Sequence, residues 1–162
     1  MNPVTERLMD ERKKWRLDPP NGYSANPIQN IDGSLNIFKW ECEVPGPRKT
    51  PCEGKTYKFT IEFDKTNLRI PLIIYCKSKC FHPNISQHDG YVCSSLKDIW
   101  PECGIKQILF SLQSFLEYPN VESVLNNEAA SLYKGNREKY NERVQNLNGE
   151  NKRMYCALIF EK

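Results

Sequence analysis

The spacing of apolar residues changes along this chain of 162 residues, and the change restricts the folds it can adopt. In residues 36–44 and 57–63, large apolar side chains alternate with polar ones, which is typical of strands with one buried face. From Ile105 to Glu117 the apolar residues instead recur every three or four positions, as they do in a buried helix. Strands followed by helices predict an α+β domain in which helices flank one sheet.

Local signals extend this prediction on both sides. Asn2-Pro3 is a helix-start signal, and the helix should end before Asp18-Pro19-Pro20 because proline cannot continue it. Asp32-Gly33 indicates a hairpin. We therefore expect an N-terminal helix, then an antiparallel meander of about four strands with one face on the core. The predicted strands are 24–29, 36–44, 57–63 and 72–76.

Two further helices are predicted after the buried one. The first spans 127–134 and stops at Gly135, because glycine commonly ends a helix. Asn136 can cap the second, which Asn148-Gly149 should break or end. The tail from 154 to 160 is apolar and is expected to pack against the rest of the chain.

Charge and composition exclude several classes of protein. The net charge of +3 is small and does not suggest the concentrated basic face of a nucleic-acid-binding protein. No apolar run is long enough to cross a bilayer, and the N-terminus lacks the apolar core of a signal peptide. We therefore expect one domain over residues 1–162, with neither nucleic acid nor membrane as a partner. The seven cysteines are an odd number without a secretory signal, which favours a reducing compartment.

The segment from Cys76 to Gly104 shows little regular pattern. Segments of this length without regular structure are usually functional or disordered. Apolar residues such as Phe81 and Trp100 can hold this one against a core, so we expect it to be functional. Cys76-x-x-x-Cys80 and His82 could contribute zinc ligands, but no second close pair has suitable spacing, so no metal is expected.

Chemically, this segment offers a nucleophile and a hydrogen-bond donor. The thiolate of Cys93 could attack a carbonyl carbon, and the amide of Asn84 could stabilise the resulting oxyanion. His82 and His88 are possible bases, although neither has an obvious carboxylate to orient it. Cys103 is a rival thiol because it lies next to a helix N-terminus, whose dipole lowers thiol pKa values. Equally, Cys93 could be a buried structural thiol and Asn84 a turn residue, and the residues alone leave both interpretations open.

A resemblance gives these residues a context. His82-Pro83-Asn84, Gly90-x-x-Cys93 and Trp100 resemble the active-site signature of the ubiquitin-conjugating enzyme family. From about residue 7 to residue 146 the chain is similar to the SUMO-conjugating branch of that family. The residues that carry this similarity include Arg7-Leu8, Glu11-Arg12-Lys13, Trp15-Arg16, Asp32-Gly33, Trp40-Glu41-Cys42, Pro45-Gly46, Thr50-Pro51, Glu53-Gly54 and Ile105-Lys106-Gln107-Ile108-Leu109.

The resemblance implies the ubiquitin-conjugating fold and an acyl-transfer enzyme. Cys93 would accept SUMO as a thioester from the SUMO-activating enzyme and pass it to lysines of protein substrates. Asn84 would position the loop and stabilise the oxyanion. Arg12 and Arg16 would bind SUMO and the activating enzyme. The resemblance further implies SUMO ligases as partners, a location in nucleus and cytoplasm, and no cofactor, since the activating enzyme consumes the ATP.

The chain departs from the family pattern around the incoming lysine. Ser123 is aligned with an Asp that orients and desolvates that lysine, so the neighbouring Glu122 is a candidate substitute. Ser86 stands where the family has Tyr, and Pro19 where it usually has His. The positions that in the family contact the substrate residues around the acceptor lysine hold Ile73, Asp89 and Tyr91 here. Of these, Asp89 would repel an acidic substrate residue.

Three functions therefore stay open, and a zinc module, which elemental analysis would reveal, is a fourth. The first is SUMO conjugation. The second is conjugation of ubiquitin or another ubiquitin-like modifier. The third is a non-catalytic variant that only binds SUMO or ligases, which Ser86 and Ser123 favour and the pair Asn84 and Cys93 opposes.

Overall fold

The structure is a computed structural model that describes residues 1–93 and 95–160, and side chains except those of residues 95, 97 and 150–160. An N-terminal helix precedes four strands, and further helices follow, as the sequence predicts. The helices are α1 (Pro3–Leu17), α2 (Ile105–Glu117), α3 (Asn127–Gly135) and α4 (Arg137–Phe160), with a short 3-10 helix at Ser95–Ile99. The strands are β1 (Ser24–Gln29), β2 (Leu35–Pro45), β3 (Thr56–Glu62) and β4 (Ile73–Cys76).

The sheet is the antiparallel meander that the alternating pattern predicts. Its strand order is β1-β2-β3-β4, with each strand paired to its sequence neighbour. Trp40 on β2 is opposite Ile61 on β3, which in turn is opposite Ile74 on β4. All three side chains are fully buried, so one face of the sheet forms the core.

Helix α1 packs one apolar stripe against this core. Asn2 caps it, because its side-chain oxygen accepts a hydrogen bond from the Val4 amide at 2.8 Å. Arg7, also on α1, contacts the segment that precedes α2. Its guanidinium lies 5.2 Å from the ring centroid of Trp100 and donates to the Pro101 carbonyl oxygen at 3.2 Å. The planar cation can stack on an aromatic ring, so it need not point into solvent.

Glu11 connects α1 to α2. It falls on the buried stripe of α1, and its Oε2 accepts a hydrogen bond from the Ile105 amide at 2.9 Å. Its Oε1 lies 3.2 Å from Nε of Arg7. Gly104, the residue immediately before α2, has no side chain that could cap the helix. The carboxylate from α1 therefore satisfies a backbone donor at the start of α2.

The last helix corrects one prediction. Asn136 does cap it, since its side chain accepts from the Lys139 amide at 3.1 Å. Helix α4 then continues through Asn148-Gly149, so the expectation that this pair breaks or ends it is wrong. A glycine inside a helix costs only about 1 kcal/mol relative to alanine, and Asn148 keeps the helix docked by donating to the Pro51 carbonyl oxygen at 2.8 Å.

The tail at 154–160 was predicted to pack against the rest of the chain. Its side chains lie outside the described residues, so this stays a prediction. Within the described residues, no helix combines the length and apolarity needed to cross a bilayer.

Candidate active site

A short extended segment at residues 90–93 carries Cys93 into the site. On one side it bonds to β4: the Cys76 amide donates to Gly90 O at 2.7 Å and the Val92 amide donates to Ile74 O at 2.9 Å. On its other side, the Cys93 amide donates to Asn84 O at 3.0 Å. The apparently irregular segment is therefore held between the sheet and the His82-Pro83-Asn84 stretch.

Gly90 is required at the start of this segment. Its φ is +78°, in the left-handed region where a Cβ atom is unfavourable. A Cβ at this position would also overlap the carbonyl oxygen of Cys76. The close approach of the two backbones, which the Cys76–Gly90 hydrogen bond requires, thus depends on glycine.

The side chain of Asn84 is fully buried and binds the loop before α3. Its Nδ2 donates to the carbonyl oxygens of Asn120 at 2.5 Å and Ser123 at 2.6 Å, and its Oδ1 accepts from the Asn120 amide at 2.8 Å. A primary amide has two N–H donors, and both are in use here. In this state Asn84 positions the loop beside Cys93, while oxyanion stabilisation would require one of these bonds to be released.

The candidate base His82 is part of the core instead. Its exposed fraction is 1%, its Nε2 is 2.9 Å from Phe115 O, and its Nδ1 accepts from the Asn84 amide at 3.1 Å. Burial lowers its pKa to about 4, despite the opposing effect of the Phe115 carbonyl. Both ring nitrogens are occupied, so His82 orients Asn84 and is not available as a base or a metal ligand. His88, the other candidate, is exposed.

Cys93, the candidate nucleophile, is a half-buried free thiol. Cys103, the rival, is also half-buried, and its amide donates to Ile99 O at 2.8 Å. The N-terminus of α2 next to Cys103 is already occupied by the Glu11 carboxylate. That negative charge opposes the helix dipole, which weakens the argument that the dipole activates Cys103.

The residues expected to receive the lysine lie at the surface. Glu122 is exposed, and Ser123 is half-buried and takes part in the site through its backbone carbonyl. Asp89 is exposed, and its Oδ1 accepts from the Tyr91 amide at 3.0 Å, which lowers the pKa of this carboxyl. Ile73 on β4 is 42% exposed.

The predicted partner-binding arginines lie on α1. Arg16 is exposed and Arg12 is half-buried. Within the described part of the chain, neither side chain forms an ion pair, so both cationic groups are available for other contacts.

Two residues of the site's framework escaped the sequence analysis. Asn120 exchanges two hydrogen bonds with Asn84, and its own side chain accepts from the Glu122 amide at 2.9 Å. The Pro119-Asn120 pair is a turn signal that could have indicated it. Glu11 was also detectable, because a charged residue on the apolar stripe of a helix needs a buried partner.

The described residues contain no group of three or more His, Cys, Asp or Glu side chains arranged to hold a metal ion. In particular, the His82 ring lies in the core, and its Nε2 is bonded to Phe115 O. His82 is therefore not available as the zinc ligand that its position near Cys76 and Cys80 suggested.

Comparison with known proteins assigns the family. Residues 7–148 match the model of the ubiquitin-conjugating enzyme family. The chain is 41% identical over 143 residues to the SUMO-conjugating enzyme UBC9 of Caenorhabditis elegans, covering 86% of each chain. It is 37% identical over 143 residues to the Sumo-conjugating enzyme ubc9 of Dictyostelium discoideum, covering 86% of this chain and 89% of the relative.

A third relative belongs to another branch. Over 147 residues the chain is 40% identical to the ubiquitin-conjugating enzyme E2 1 of Caenorhabditis elegans, covering 90% of this chain and 73% of the relative. Together with the antiparallel meander and the Asn84–Cys93 arrangement, these similarities show that the chain belongs to the ubiquitin-conjugating enzyme family.

Proposed function

We propose that this protein is a SUMO-conjugating enzyme that carries SUMO as a thioester on Cys93 and transfers it to lysines of protein substrates. The observation that carries the proposal is the arrangement at residues 84–93. A half-exposed thiol is fixed by its amide to Asn84, whose side chain holds the neighbouring loop. The similarity to SUMO-conjugating enzymes of two organisms supports SUMO as the modifier.

The first step is a thioester exchange. The Cys93 sulfur attacks the carbonyl carbon of the modifier's C-terminal thioester on the activating enzyme, and the cysteine of that enzyme leaves as its thiolate. Cys93 requires no base within the chain for this exchange, because a thiol at neutral pH is already a few per cent thiolate. The occupied ring nitrogens of the buried His82 are consistent with such a reaction.

In the second step, the amine of a substrate lysine attacks the carbonyl carbon of the Cys93 thioester, an isopeptide bond forms, and the Cys93 sulfur leaves as its thiolate. An unperturbed lysine has a pKa of about 10.4 and must lose a proton to attack. Release of one Asn84 amide hydrogen from Asn120 or Ser123 would let that hydrogen bond to the developing oxyanion. The exposed carboxylate of Glu122 is our candidate for orienting the lysine, in place of the Asp that the family has at position 123.

The basic face of α1 suits recognition of the other proteins. Arg12 and Arg16 carry no internal ion pairs within the described residues, so they can bind acidic groups of SUMO and of the SUMO-activating enzyme. SUMO ligases and a location in nucleus and cytoplasm belong to the same proposal. Imaging of the tagged full-length chain would test the location.

Ubiquitin conjugation is the second candidate, because a ubiquitin-conjugating relative is nearly as similar as the SUMO-conjugating ones. The deciding experiment incubates the protein with ATP and either SUMO and its activating enzyme or ubiquitin and its activating enzyme. A conjugate that runs on a non-reducing gel and disappears on reduction identifies the modifier carried.

Two cysteine variants serve as matched controls in this experiment. Cys93→Ala should abolish the conjugate, whereas Cys103→Ala should keep it, because both thiols are half-buried but only Cys93 adjoins Asn84. A conjugate with ubiquitin alone would favour the second candidate. Absence of a conjugate with either modifier, from folded protein, would favour a binding-only variant.

A further inference from the structure

Large side chains with apolar surface lie on the outer face of the sheet beside Cys93. On β4, Ile74 and Cys76 are buried, so Ile73 and Tyr75 lie on the opposite face of the strand. Ile73 is 42% exposed and Tyr75 is half-buried. The solvent-facing side of an antiparallel sheet is usually polar, so apolar surface next to a candidate nucleophile is a candidate contact surface for a substrate.

The backbone register extends this surface to Cys93. Tyr75 on β4 and Tyr91 in the active-site segment form an antiparallel pair. Their rings pack edge to face, with centroids 5.9 Å apart. The same register, continued by two residues, puts Ile73 opposite Cys93. We call Ile73, Tyr75 and Tyr91 the apolar row, and this row begins opposite the thiol.

Two carboxylates lie next to the apolar row. Glu62 on β3 is opposite Ile73 in the pairing of β3 with β4, and its Oε1 lies 2.7 Å from Lys39 Nζ. The exposed Asp89 accepts a hydrogen bond from the Tyr91 amide at 3.0 Å, which keeps its carboxylate beside the row. These negative charges disfavour an acidic substrate residue at the row.

A cation contacts the apolar row at its other end. Lys77 follows β4 by one residue, and its Nζ lies 5.2 Å from the ring centroid of Tyr75. Because Cys93 is opposite Ile73, this positive charge lies at the end of the row away from the thiol. A substrate residue close to the acceptor lysine would therefore meet aliphatic and aromatic groups with carboxylates beside them.

A lysine that reaches Cys93 brings its sequence neighbours onto this row. In an extended peptide, side chains two positions apart point to the same side and are about 6.6–6.8 Å apart. Tyr91 and Cys93 are likewise two positions apart in an extended segment, with the buried Val92 between them. The side chain two residues from the acceptor lysine can therefore lie on Tyr91 while the lysine amine is at the thioester.

We propose that the apolar row selects the acceptor lysine by binding an aromatic or aliphatic side chain two residues away from it, and that it disfavours a carboxylate there. Because this role presupposes a thioester on Cys93, it rests on the proposed function and names its class of substrate. Contact with Ile73 and the two tyrosine rings would hold the lysine at the thioester, while Asp89 would repel an acidic neighbour.

Transfer from charged Cys93 to short peptides tests the proposal. The acetylated peptides contain one lysine among alanines, with Phe, Ala or Glu placed two residues before or two residues after it. Each rate is divided by the rate of transfer to Nα-acetyl-lysine, which has no neighbouring residues. We expect Phe at one of the two positions to raise this ratio about tenfold over Ala, the lower end of discrimination by apolar contacts. Glu should lower the ratio at that position.

A charge placed in the apolar row should change the preference. In Ile73→Lys, a cation replaces the exposed side chain opposite Cys93, so we expect the Glu peptide to become a better acceptor than the Phe peptide. Ile31→Lys is the matched control, because it makes the same change at an exposed isoleucine in the turn between β1 and β2. This control should keep the preference for Phe.

The outcomes separate this selection from the proposed function. Equal ratios for the Phe, Ala and Glu peptides at both positions, or the highest ratio for Glu, would overturn selection by the apolar row and leave the thioester on Cys93 standing. An Ile73→Lys protein that forms the thioester but keeps the preference for Phe would overturn it as well. Absence of a thioester with either SUMO or ubiquitin would overturn both.

Discussion

The residues on two sides of Cys93 differ in burial and in hydrogen bonding. On one side, His82 and Asn84 are buried at 1% and 0% exposure, and their side-chain polar atoms are paired within the protein. On the other side, Glu122 and Asp89 are exposed, and the loop that carries Glu122 is held to the first side through Asn84. Under the proposed function, the first side would position the thioester carbonyl with fixed groups, and the second would meet a variable lysine-bearing substrate.

This difference explains where the chain keeps and loses the family pattern. Buried polar residues such as Asn84 cannot change without leaving unpaired partners, which costs about 1–3 kcal/mol for each group. The exposed side chain of Glu122 carries no such penalty in folding. The candidate oxyanion donor Asn84 therefore matches the family pattern, whereas position 123, the candidate lysine-orienting position, departs from it.

Gly90→Ala should have the largest effect, because it disrupts the backbone contact that holds the Cys93 segment against β4. A φ of +78° and overlap with Cys76 O should together lower the free energy of unfolding by about 4 kcal/mol. Gly33→Ala is the control, since Gly33 has a φ of +83° but no atom within 4 Å of its added Cβ, and it should cost about 1 kcal/mol. Urea denaturation measures both, and equal losses would refute the role of the close approach.

Lowering the pH should reduce the free energy of unfolding through His82 on the buried side. Its folded-state pKa of about 4 lies below its unfolded value of 6.5, so the unfolded chain binds the proton first as the pH falls. The contribution is present above pH 6.5 and is lost toward pH 4, by about 3 kcal/mol. Urea denaturation across this range should show a smaller pH dependence in His82→Gln than in the exposed control His88→Gln. The same slope in both variants would contradict the assignment.

Asn84→Ala tests the link between the two sides, because it removes the side chain that bonds to the loop carrying Glu122. We expect transfer from the Cys93 thioester to a lysine to slow about 100-fold, the scale for loss of an oxyanion donor. Thioester formation should slow less. Asn148→Ala is a matched control, since Asn148 also donates to a loop carbonyl but far along the chain. Single-turnover assays resolve the two steps, and equal slowing of both would argue against a selective role in lysine transfer.

Glu122→Ala should have the smallest effect, because it concerns the exposed side alone. If its carboxylate orients the lysine, transfer should slow about tenfold, as expected for one general acid–base or positioning group at the low end of its range, while thioester formation is unchanged. Glu142→Ala, an exposed acid on α4, is the control. Transfer at the wild-type rate would exclude Glu122 from this role.

Much of the fold could be predicted because local patterns determine it. The alternation around Trp40 and Phe59 predicts buried strand faces, and the helical spacing from Ile105 to Glu117 predicts α2 with the bounds observed. The end of α4 could not be predicted from Asn148-Gly149, since a contact with Pro51, distant in sequence, offsets a weak local preference. The prediction of one domain over residues 1–162 stays a prediction.

By itself, the sequence determined the α+β order and the meander, and it singled out Asn84 and Cys93 as the candidate site residues. Only the tertiary structure decided what each polar group bonds to. In it, His82 lies in the core, the Asn84 amide donates to Asn120 and Ser123, and the Arg7 guanidinium lies over the Trp100 ring. The physical reason is that apolar burial follows a periodic pattern in the chain, whereas a hydrogen bond depends on two groups that folding brings together from distant positions.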